Sequence, residues 1–98
     1  MAIPIEIHPE AIKEARLARE WYEARDPTAA NGFMLEIDRA IIQIVDFPDR
    51  WPPYLQGTRR FLLHRYPFSV IYRKYSDRVQ LLAVAHGSRR PGYWLART

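Results

Sequence analysis

Cysteine is absent from the 98 residues. This excludes a disulfide framework, a thiolate nucleophile and any zinc site built on sulfur, and it makes a cytoplasmic location the natural expectation. Glycine is scarce: Gly32, Gly57, Gly87 and Gly92 are too dispersed to cradle a phosphate. No serine sits in a nucleophile-elbow context. His8, His64 and His86 each lack a second histidine or acid at metal-ligand spacing, so neither a metal nor another cofactor is expected. No apolar run approaches the ~18 residues a spanning helix needs, and no signal-peptide pattern opens the chain, so no membrane partner is expected. The length suits one domain, 1–98.

Acid is nearly missing from the second half. Residues 50–98 carry ten Lys or Arg against Asp77 alone, a balance of 10 − 1 = +9, whereas residues 1–49 carry five against ten, a balance of −5. The −5 cannot cancel the +9, which points to an acidic partner for the second half, nucleic-acid phosphate or an acidic protein segment. The expectation is one contiguous concave cationic surface.

Apolar spacing gives the element order. "IPIEIH" (3–8) reads as an edge strand, with Pro4 favouring the edge. Residues 8–25 read as a helix opened by Pro9, with Ile12, Ala15, Ala18 and Tyr22 as its buried stripe. Asp26 and Pro27 start a second helix running to about 46, with Met34, Ile37, Ile41, Ile44 and Val45 inward. The short connection folds the two into an antiparallel hairpin. After a Pro-rich loop (47–60), strands at 59–64, 68–75 and 78–86 follow with links short enough for an antiparallel meander. The fold class is therefore α+β, a helical hairpin packed on one face of a small curved antiparallel sheet in the order β-α-α-β-β-β, with the opposite face left for a partner.

The chemistry-bearing groups gather in "AVAHGSRRPGYW" (83–94), where a strand stops and side chains leave the core without unpairing the ladder. Arginine forks grip phosphate bidentately, and exposed Tyr and Trp rings stack on bases. His86 reads either as an acid or base for phosphodiester chemistry or as a residue that shapes the turn. Tyr93 and Trp94 read equally as platform or as packing. For partner binding the candidates are Arg59, Arg60, Arg73, Lys74, Arg89, Arg90 and Trp94.

The helical hairpin followed by "RRFLLHRYPFSVIYRKYSDRVQLLAVAHGSRRPGYW" resembles the RelE/ParE toxin superfamily of bacterial type II toxin–antitoxin systems over nearly the whole chain. The most specific part is the pairing of "FSVIYR" with "LLAVAHGSRRPGYW". The resemblance implies a growth-inhibiting toxin neutralised by a cognate antitoxin through an acidic, partly disordered segment, with operator DNA reached only through the antitoxin complex. It leaves two activities. ParE-like members poison DNA gyrase without catalysis, and the long hairpin and the "AVAHGSRRPGYW" ending favour that branch. RelE-like members are metal-independent endoribonucleases that cut mRNA on the ribosome. On that alternative the catalytic set would be Arg60, Arg65, His86, Arg89, Arg90 and Tyr93, with Ser69 standing where such members commonly carry an arginine and Arg65 substituting for it in space. A third class, a non-toxic nucleic-acid-binding module, also fits the charge.

Overall fold

The computed structural model describes residues 3–97. The single-domain expectation over 1–98 therefore includes Met1, Ala2 and Thr98, which lie outside the described residues. Strand β1 (Ile5–Ile7) leads into helix α1 (Pro9–Glu23) and helix α2 (Pro27–Asp46); β2 (Arg59–Leu62), β3 (Phe68–Lys74) and β4 (Val79–His86) follow. Both helix starts use the chemistry their sequences offer. Pro9 and Pro27 occupy first-turn positions where no N–H is needed. His8 Nδ1 accepts from the Glu10 N–H at 3.1 Å and Asp26 Oδ1 from the Thr28 N–H at 3.0 Å. Arg25 ends α1 by donating to the Trp21 carbonyl at 2.9 Å while lying 3.8 Å over the Trp21 ring.

The sheet order is β1-β4-β3-β2. The β2-β3-β4 meander is antiparallel as expected, and β1 joins the outer side of β4 in parallel, which makes the sheet mixed. A bulge interrupts β4: Tyr72 faces Leu81 and Ile71 faces Ala83, so Leu82 is extra. As a result Leu81 and Val84 pack toward the helices, whereas Leu82 and Ala83 both pack on the opposite face.

The main core lies between hairpin and sheet. Phe33, Ile37, Ala40 and Ile44 of α2 meet Val70, Tyr72, Leu81 and Val84, with Ala11 and Ala18 of α1 against the same surface. Tyr22, Phe33, Tyr66 and Phe68 form an aromatic cluster at one end, edge-to-face except for the tilted Tyr22–Phe33 pair. Burial pushes the Tyr72 phenol up to about 12, and its hydroxyl donates to the Pro48 carbonyl at 2.7 Å. Two details of the expected stripes shift. Ile12 is exposed because the buried face of α1 is centred on Ala11 and Ala18, and Phe33, outside the expected stripe, is fully buried.

The face expected to be open is largely covered. After β4 the chain turns back and lays Trp94, fully buried, on Ile71, Leu82 and Ala83. No helix among the described residues is long and apolar enough to cross a membrane.

Candidate functional site

The end of β4 is held in a defined turn. Gly87 N–H donates to the Pro67 carbonyl at 2.7 Å and Arg89 N–H to the His86 carbonyl at 3.0 Å. His86 Nδ1 accepts from the Ser88 N–H at 3.0 Å and lies 2.7 Å from Ser88 Oγ. That nitrogen is therefore the unprotonated one in the neutral ring, and it is spent on shaping the turn. The tail then coils through Gly92, whose φ of 86° is a left-handed conformation that a side chain would strain.

Between this turn and Tyr54 on the preceding loop lies a cleft of about 110 Å³ floored by Ser69, Ile71 and Ala85. Arg60, His86, Arg89, Arg90, Tyr93 and Trp94 all line it. The Arg60 guanidinium sits 4.4 Å over the Tyr54 ring and that of Arg89 lies 3.6 Å over Tyr93. Trp94 supports the floor from within the core and offers no platform to a ligand, a correction to its place among the partner-binding candidates.

The remaining candidates are elsewhere. Arg65 lies in a separate concavity between α2 and β2, where its N–H and that of His64 donate to Glu36 Oε1 at 3.3 and 2.9 Å. It is not among the residues lining the cleft, so it does not replace an arginine at Ser69. Arg59 points to the opposite face from Arg60, as strand alternation requires, and donates to the Trp51 carbonyl at 2.6 Å. Arg73 and Lys74 end β3 at the far end from His86. Arg73 donates to the Gln56 carbonyl at 2.8 Å, and Lys74 Nζ lies 2.8 Å from Asp49 Oδ2. The Lys74 hydrogen bond and the charges of Lys74 and Arg59 hold the Asp49 carboxyl below its ordinary value.

One contiguous cationic surface is therefore not formed. Arg59, Lys74, Arg78, Arg89 and Arg97 of the second half make ion pairs with Glu6, Glu14 and Asp49 of the first. Half of the ten basic side chains are engaged in this way, and the cationic patch contracts to the cleft.

Glu14 and Arg97, which the sequence reading passes over, organise the site. Among the described residues, no strand covers the outer edge of β4 beyond Leu81. Glu14 Oε1 takes the orphaned Val84 N–H at 3.0 Å, and Arg97 donates to the Leu82 carbonyl at 3.1 Å. The two side chains also pair with each other at 2.8 and 3.0 Å, and Tyr93 Oη donates to Glu14 Oε2 at 2.6 Å. Burial first, then this hydrogen bond to a carboxylate, pushes the Tyr93 phenol well above its ordinary value. Glu14 likewise holds the Arg97 guanidinium above its usual range. A signal was present in the sequence: Glu14 falls between Ala11 and Ala18 on the buried face, where an unpaired acid would be costly.

The family model for the ParE toxin of the type II toxin–antitoxin system parDE matches residues 5–91. No curated protein matches the chain. Among solved structures, the chromosomal ParDE toxin–antitoxin system from P. aeruginosa superposes with a TM-score of 0.76 at 18% identity, covering 87% of this chain and 96% of the other. The RelBE2 toxin–antitoxin complex from Mycobacterium tuberculosis superposes with a TM-score of 0.53 at 15% identity, covering 88% and 99%.

Proposed function

The chain belongs to the ParE toxin family of type II toxin–antitoxin systems, and from that premise we propose that it arrests growth in the cytoplasm by binding DNA gyrase, without catalysing a reaction, until a co-encoded antitoxin neutralises it. The observation that carries the non-catalytic reading is the state of the cleft's proton-transfer groups. Tyr93 is tied to Glu14 and kept protonated, and His86 Nδ1 is committed to Ser88. What remains for a target is charge: Arg60 on β2, and Arg89 and Arg90 on the hydrogen-bonded turn after β4. Such a surface binds and orients an acidic protein or DNA-bound target; it is poorly equipped to move a proton.

Convergence of Arg60, His86, Arg89 and Arg90 in one cleft favours a second reading, a ribosome-dependent endoribonuclease in which guanidinium groups stabilise the scissile phosphate. Induced expression separates the two. The gyrase reading expects double-strand breaks, an SOS response and intact message, and message cut on ribosomes with unbroken DNA overturns it. Co-expression with the adjacent gene is expected to restore growth.

A further inference from the structure

The outward face of α2 carries a pattern that the fold does not use. Phe33, Ile37, Ala40 and Ile44 point to the core. At about 100° per residue, the side opposite them falls on Leu35, Asp38, Arg39 and Ile42. Leu35 and Ile42 are 53% and 60% exposed. Leu62, at 62% the most exposed large apolar side chain among the described residues, lines with Leu35 the concavity between α2 and β2. Apolar residues scattered singly on a surface are ordinary, whereas three gathered on one side mark a contact.

The charges on this face are unpaired, in contrast to those of α1. On α1, Arg16 and Arg19 pair with Glu20 and Glu23 one turn on, at 3.3 and 3.1 Å. On α2, neither Asp38 nor Arg39 makes a hydrogen bond or ion pair through its side chain among the described residues. No base stands three or four residues from Asp38. Glu36, three residues before Arg39, is turned to β2, where it accepts from the His64 and Arg65 N–H groups.

The stripe Leu35, Asp38, Arg39, Ile42 is its own complement. Laid antiparallel about a two-fold axis between residues 38 and 39, it places Leu35 on Ile42 of a second copy and Asp38 on that copy's Arg39, each contact made twice. Leu35 and Ile42 lie about 10 Å apart along the helix, two turns, so the apolar contacts flank the ionic ones. A parallel pairing instead brings Asp38 onto Asp38 and Arg39 onto Arg39. Moving the antiparallel register by one residue does the same to one of them. The charges therefore select a single arrangement.

We propose that this face of α2 is the interface of a homodimer, in which two copies pack α2 against α2 antiparallel, Ile42 of each covering Leu35 and Leu62 of the other and Asp38 pairing with Arg39. The cleft lies on the opposite side of the sheet from the hairpin, so both clefts stay open in the pair. The dimer thus offers two cationic sites at once. The contact uses none of the cleft residues and holds whichever target the cleft takes.

Sedimentation velocity of the full chain over a concentration series, at low and high salt, tests this. The expected result is a dimer that forms as concentration rises and weakens as salt is added. Asp38→Arg and Arg39→Asp each weaken self-association by about tenfold or more with circular dichroism unchanged, because each sets like charge against like. Mixing the two variants restores the dimer, since each chain then meets opposite charge twice. The absence of cysteine allows a second readout. Leu35→Cys and Ile42→Cys chains, combined and oxidised in air, join as a mixed disulfide in preference to either linking with itself. A chain that stays monomeric throughout overturns the proposal, as does a dimer indifferent to both charge variants. So does preferential linkage of L35C to itself, or an α2 face that is covered only by the product of the adjacent gene.

Discussion

Replacing Glu14 by glutamine keeps the shape of the side chain and removes its charge. The Glu14 and Arg97 side chains are only 13% and 15% exposed, and the carboxylate accepts from Val84, Tyr93 and both terminal nitrogens of Arg97. Removing one partner of a pair so sheltered leaves the other desolvated and unpaired, which costs roughly 3–5 kcal/mol when burial is complete. The glutamine oxygen still accepts one or two of these hydrogen bonds, which lowers the expected loss to about 3 kcal/mol. For a domain of this size that corresponds to a fall in Tm of about 12–24 °C. Urea unfolding followed by far-ultraviolet circular dichroism measures it, with Arg97→Met and the double variant completing a cycle. The double variant is expected to be less destabilised than the two single losses combined, because it no longer buries a lone charge. A Glu14→Gln loss below about 0.5 kcal/mol, the range of an ordinary surface change, would refute the clamp. So would strict additivity with Arg97→Met.

Three further outcomes follow from the same structure. Tyr72 sits at about 12 in the fold against 10.0 for a free phenol, so folding favours its neutral form. That contribution is complete below about pH 10 and lost as pH rises toward 12; Tyr93 shifts in the same direction, and a urea midpoint that stays flat across this window contradicts the assignment. Trp94→Ala empties the layer on Ile71, Leu82 and Ala83 and is expected to cost about 3–5 kcal/mol, with Trp94→Phe losing much less; equal losses would show that the pocket collapses freely. Arg89→Ala combined with Arg90→Ala removes two exposed guanidinium groups, leaving stability within about 1 kcal/mol of the parent while abolishing growth arrest; full toxicity would place the working surface elsewhere.

Local signals made the elements legible. The Pro9 and Asp26–Pro27 starts and the short links at 65–67 and 76–77 put the helix and strand limits within a few residues of where they lie. What escaped notice was decided across long stretches of chain. Five basic residues find acids from the other half, including Arg97 with Glu14, 83 residues apart, and no local window shows such a pairing. His86, Arg89, Arg90, Tyr93 and Trp94 line one cleft because they are close in sequence. Arg65 and Lys74 share only charge with them: Lys74 lies at the far end of β3, and Arg65, in the link at the same end as His86, lies on the α2 side. The side on which His86 emerges was hidden for another reason: alternation counted along β4 fails once Leu82 is inserted.

That inserted residue makes β4 a strand with two phases. Before it, Val79 and Leu81 serve the helical layer; beyond it, Val84 does, and His86 meets Phe68 edge-on at 4.9 Å. Insertions in the loops at either end would leave this arithmetic intact. Shortening β4 by one residue would exchange the large and small side chains between its two layers, emptying one while crowding the other, and would carry the histidine away from its phenylalanine. The length of this strand is therefore under tighter constraint than the identity of most residues along it.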